Sequence, residues 1–242
     1  MKDYNTKNTN EDLENITDEN TKLSDNPINA FLQKNGTKII IAAASIVLLV
    51  ILIFLYNVNK QQNEKDATIA LSRIEIYHQA GEYDNALNAP DELPLVRGEK
   101  VIGLTEIINK WPNTKAGQRA TLLAADAHYQ LGNYPEAKSY YQKATNSNNN
   151  EIKIGGYAGT ASCNEKDGKL TEAADLYLKA ADLIQDEGLK LRYLFFSGIC
   201  NEKSGNNENA KKIYRQIINI NKFSEFYNMA KAGIVRLGED IE

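Results

Sequence analysis

The chain has 242 residues, with 28 Lys and Arg side chains against 32 Asp and Glu and a net charge of −4. No basic stretch or face emerges from this balance, which excludes nucleic-acid binding as the organising function. The two cysteines, Cys163 and Cys200, form no CxxC, and with only two histidines there are too few ligands for a zinc site.

Residues 1–37 read as a polar, mostly disordered tail. Met1–Asn26 is rich in Asn, Asp, Glu, Lys and Thr and almost lacks large apolar side chains, so its ordering entropy goes unopposed. From Pro27 the text turns more apolar. PINAFLQKNGTK either forms a short helix with Ile28, Phe31 and Leu32 on one face, ending near Gly36, or serves as a plain juxtamembrane linker.

Residues 38–57 are predicted to be a transmembrane helix. Ile39–Tyr56, IIIAAASIVLLVILIFLY, carries no charge over 18 residues. At about 1.5 Å per residue it spans roughly 27 Å, close to the hydrocarbon thickness of a bilayer. A cleaved signal peptide would start near the N-terminus and end in a small-x-small site; here a long polar tail precedes the segment and NVNKQQNEKDA follows it. Lys22, Lys34 and Lys38 on one side nearly balance Lys60, Lys65 and Arg73 on the other, so charge leaves the orientation open. A cytoplasmic tail and an exported domain are the working expectation. Residues 58–66 read as a linker.

The remainder repeats itself. LGNYPEAKSYYQKA (131–144), DGKLTEAADLYLKA (167–180) and SGNNENAKKIYRQI (204–217) align, with Gly132, Gly168 and Gly205 spaced by 36 and 37 residues. Ala137, Ala173 and Ala210 follow each glycine by five positions, and Tyr141, Tyr177 and Tyr214 by nine. The glycine ends one helix by taking a positive φ; the alanine permits close approach of two antiparallel helices; the tyrosine fills the gap to the neighbouring pair. One pair cannot bury its own apolar face, but stacked pairs share a continuous core.

Three such pairs are expected at 118–151, 154–187 and 191–223. Residues 67–117 form a degraded first unit: HQAGEYDNAL keeps Gly81, Tyr83 and Ala86, then Pro90 and Pro94 interrupt with a loop of about a dozen residues, and Leu104, Ile107 and Ile108 resume the stripe before Trp111. At the far end, 224–242 supplies a capping helix through Tyr227, Ala230, Ile234 and Leu237, followed by a short tail. The fold class is therefore all-α: one N-terminal transmembrane helix followed by a solenoid of helix pairs with a capping helix.

These residues resemble the tetratricopeptide repeat. Ala125, Gly132, Tyr134, Ala137, Tyr141 and Ala144 match its consensus, as do Ala161, Gly168, Ala173, Tyr177 and Ala180, and then Gly198, Gly205, Ala210 and Tyr214. Leu170, Asn207 and Ile217 depart from it. The order of parts, with Phe31, Asn35, Gly36 and Lys38 directly before the apolar segment, is similar to the tetratricopeptide-domain family of ancillary Sec-translocon subunits, related to a periplasmic cell-division coordinator. That resemblance implies a single-pass protein of the bacterial inner membrane, N-terminus cytoplasmic and repeats periplasmic. Its implied partners are Sec translocon subunits, periplasmic chaperones or exported clients. The alternative is a structural scaffold for another envelope machine, in cell division or outer-membrane assembly.

No serine, cysteine or carboxylate set accompanies His78 or His128 as nucleophile and base, and Asp91, Glu92 and Glu99 in the loop lack visible partners. A non-enzymatic protein with no cofactor, metal or small-molecule substrate is expected. Cys163 and Cys200 fall at the same position of adjacent repeats and are expected to be buried free thiols, because packed helix axes sit farther apart than a disulfide allows. GGYAG at 155–159 lacks a phosphate-loop context and suits close helix crossing instead. Register places a protein-binding concave face on the first helices: Leu122, Asp126 and Tyr129, then Ala158, Ser162 and Glu165, then Phe195, Ile199 and Glu202. Phe195 and Ile199 have a competing role, packing beneath the capping helix. Asp126, Ser162 and Ile199 stand where the family's clamp for terminal carboxylates uses asparagine, so that clamp is not expected.

Overall fold

A computed structural model describes residues 27–240, which form two compact units divided at Asn59/Lys60. The disordered tail expected over 1–26 lies outside the described residues, as do the side chains of Ile28 and Leu32 and the last two residues.

Helix α1 (Pro27–Gln79) begins in the first unit. It does not stop near Gly36, whose φ is not positive; one glycine costs only about 1 kcal/mol of helix propensity and does not by itself end a 53-residue helix. Every large apolar side chain from Ile39 to Val58 is exposed, an arrangement unfavourable in water and natural in hydrocarbon. The helix is long and apolar enough to cross a membrane. Residues 58–66 are helical rather than a linker. NVNKQQNEKDA contains no glycine or proline, and Gln62 Nε2 donates to Asp66 Oδ1 at 2.9 Å, one turn on.

In the second unit, residues 67–79 of α1 act as the first helix of the interrupted repeat. Ala67, Leu71 and Ile74 bury against α2 (Tyr83–Asn88), α3 (Leu104–Lys110) and α4 (Lys115–Gln130). Residues 89–103 split what would be one second helix into α2 and α3. Ala89 ends α2 in a left-handed conformation, Pro90 and Pro94 block its continuation, and Val96 pairs with Glu99 across a tight turn at Arg97-Gly98.

Three regular pairs follow: α4 with α5 (Tyr134–Ala144), α6 (Asn150–Lys166) with α7 (Leu170–Asp182), and α8 (Glu187–Lys203) with α9 (Asn207–Ile220). Each second helix also packs on the next first helix, and α10 (Glu225–Arg236) closes the stack against α8 and α9. The result is an all-α solenoid. Gly132, Gly168 and Gly205 take φ of 81°, 73° and 79° at the inner turns, where a Cβ would be strained.

Capping marks the starts of the first helices. Thr114 accepts from the Gly117 amide, Asn149 from Glu151 and Ile152, and Asp186 from Leu189. Glu64 of α1 adds its carboxylate to the start of α4, accepting from the Lys115 amide at 2.8 Å and the Ala116 amide at 3.2 Å. Cys163 and Cys200 are free and buried, each 1% exposed.

Candidate functional site: a groove on the first helices

The groove arises from how each repeat's tyrosine meets the next helix. Tyr141 lies flat on Gly159, where an added Cβ would fall 2.2 Å from the ring. Tyr214 is sandwiched between Gly198 and Gly233, at 2.5 and 2.4 Å by the same measure, and has no exposed surface. Tyr177 meets Phe196 instead, since Phe196 precedes Gly205 by the same nine residues that separate Gly159 from Gly168. Two rings cannot nest as a ring and a glycine do, so they stand 5.4 Å apart, tilted by 57°. Tyr193 completes a three-ring cluster, 6.0 Å from Tyr177 and 6.1 Å from Phe196.

The space left open is a groove of about 440 Å³ across α4, α6 and α8. Leu122, Leu123 and Tyr141 wall one end, and the three-ring cluster walls the other. Its floor is Gly155, Ala158 and Gly159, where small residues admit close packing: a Cβ on Gly155 would meet Leu122 at 2.7 Å. Asp126 and Ser162 are its polar groups apart from the tyrosine hydroxyls.

Asp126 faces His78, whose Nε2 lies 3.1 Å from Oδ2. That contact, partly opposed by burial, holds the Asp126 carboxyl below its ordinary value, so it is ionised at neutral pH. The Tyr177 hydroxyl donates to Glu165 at 2.6 Å and lies 3.1 Å from Ser162 Oγ; burial and Glu165 push its pKa far up, so it stays a neutral donor. Tyr214 repeats the motif, donating to Glu202 at 2.6 Å, while Arg236 grips that carboxylate with two bonds of 2.9 and 3.0 Å. Burial pushes the Cys163 thiol up to about 11 and the Cys200 thiol up to about 12.

Of the residues expected on a concave face, Leu122, Asp126, Ala158 and Ser162 meet in the groove. Tyr129 packs edge-on against Tyr134 at 5.2 Å, and Glu165 and Glu202 are engaged by tyrosine hydroxyls. Phe195 is not on that face. It is buried between Tyr214 and Phe226 at 6.0 and 5.8 Å, because α10 docks on the last pair and takes this ring into its core. Ile199 is half-buried against the same cluster. The groove's own aromatic wall, Tyr193 and Phe196, was missed. Comparing position nine before each glycine (Leu123, Gly159, Phe196) would have found it.

Elsewhere two of the three loop carboxylates are paired: Asp91 with Lys100 and Glu99 with Arg73, both at 2.5 Å. His78 and His128 pack on Tyr83 and Tyr140, with ring centroids 5.4 Å apart in each pair.

Comparison with known families agrees with this architecture. Residues 113–151 and 122–188 match one tetratricopeptide-repeat family model, and residues 191–223 match another. The helix pairs over these segments are tetratricopeptide repeats, a class that mediates protein–protein interaction. No curated protein matches the chain.

Proposed function

We propose that this protein is a non-enzymatic, membrane-anchored adaptor whose groove on the first helices holds extended polypeptide. The observation that carries the reading is the open Tyr177–Phe196 junction. It leaves an aromatic-walled slot in a class of fold whose business is protein recognition. The exposed apolar run of Ile39–Val58 suits a membrane span, which fixes the domain at a surface and raises the effective concentration of nearby clients.

The order of parts supports a place beside the Sec translocon in the bacterial inner membrane, with the repeats in the periplasm receiving exported chains or periplasmic chaperones. A photo-crosslinking side chain at position 196 in living cells tests this, with position 212 on the opposite helix layer as control. Adducts with translocon subunits, chaperones or exported chains from position 196, and not 212, are expected. Adducts only with division or outer-membrane assembly proteins would replace this reading with the scaffold one.

A further inference from the structure

The groove has a chemical polarity of its own. Its α8 end is a wall of three rings, with Phe196 38% exposed. Its α4 end holds Asp126, the one charged side chain among the described residues lining it. Beside the groove, Glu165 sits behind Ser162 and Tyr177 and adds a second negative charge. No Lys or Arg lines it among the described residues, so nothing there balances a bound anion.

We infer, resting on the peptide-binding reading above, that the groove selects extended segments in which an apolar side chain is followed or preceded at short range by Lys or Arg. The apolar side chain packs on the exposed face of the ring cluster, chiefly on Phe196; the cation reaches Asp126. Neighbouring first helices lie roughly 8–10 Å apart, and an extended chain rises about 3.3 Å per residue. Crossing from the α8 wall past α6 to α4 covers two such intervals and therefore takes roughly five or six residues. A segment of net negative charge brings its carboxylates against Asp126 and Glu165 and is rejected, which gives the site discrimination as well as affinity.

Fluorescence anisotropy with the full chain in nanodiscs tests this, using labelled dodecapeptides in serine-glycine backgrounds. One set carries Phe with Lys three, four, five or six positions away; a matched set has Glu for Lys; a third has Ser for Phe. The best Phe–Lys peptide is expected to bind at least about fivefold more tightly than its Glu counterpart, the size of one partly exposed ion pair. Asp126→Asn, which keeps a polar group facing His78, should shrink that ratio to about twofold or less while leaving the thermal midpoint near wild type. Equal binding of the Lys and Glu sets, or discrimination unchanged by Asp126→Asn, overturns the charge selection and leaves the groove as a peptide site. Binding by none of the Phe peptides overturns the peptide-binding reading itself.

Discussion

The junction at Tyr214 and the junction at Tyr177 use the same residue at the same repeat position and reach opposite outcomes. At Tyr214, glycines on both flanking helices let the ring close the stack, and it becomes one of the largest fully buried side chains in the protein. At Tyr177 the next helix offers Phe196, which covers the buried tyrosine but itself stays part-exposed and walls a groove. A repeat protein thus makes a site by setting one ring beside a floor of small residues, without new loops or catalytic groups. The energetic corollary is that the closed junction holds the fold and the open one spends little of its stability on recognition.

The sharpest way to break this comparison is truncation of the closing ring. Tyr214→Ala should cost about 3–5 kcal/mol, read by urea unfolding, since it leaves a cavity between two glycines in the core. A cost below about 1 kcal/mol would mean the closed junction does not hold the stack. Gly233→Leu attacks the same contact from the other side, where even a Cβ stands 2.4 Å from the ring. About 2–3 kcal/mol is expected, with hydrogen exchange rising first in α10.

Tyr214→Phe removes only the hydroxyl that serves Glu202, and about 1–2 kcal/mol should be lost. The smallest stability change belongs to the open junction. Phe196→Ala should cost less than about 1 kcal/mol, because the ring is partly solvated, while abolishing anisotropy gains with Phe-bearing peptides. A large loss of stability there would erase the distinction between the two junctions.

Acid should act on the closed junction through Glu202. Arg236, and then Tyr214, hold its carboxyl below the ordinary 4.5, so its contribution is present above that value and is lost as pH falls through the lower folded value. Melting midpoints of the wild type and Glu202→Gln should therefore converge as pH is lowered below 4.5.

Much of the fold was legible because its signals are local and repeated. Gly132, Gly168 and Gly205 needed only positive φ to mark their turns, and the alanines and tyrosines downstream carried the packing stripe. Helix ends with no such marker were harder. Gly36 lies in a helix that simply continues, and the stretch after Tyr56, polar enough to suggest a linker, contains nothing that breaks one. The groove was half visible. Periodicity alone put Leu122, Asp126, Ala158 and Ser162 on one face, yet it also put Phe195 there, because register within a repeat does not reveal that α10 takes over the last pair. Glu64 at the start of α4 is a contact across fifty residues of chain, and no local pattern announces it.

The two buried thiols make each half of the stack its own clock. Cys163 and Cys200 occupy the same place in successive repeats, are shielded from reagents, and are held protonated well above neutral pH. A thiol-reactive dye therefore reaches either one only when its repeat opens. Single-cysteine variants would time those openings separately. Equal labelling rates would mean that the repeats come apart together; unequal rates would measure how far along the stack a local opening spreads.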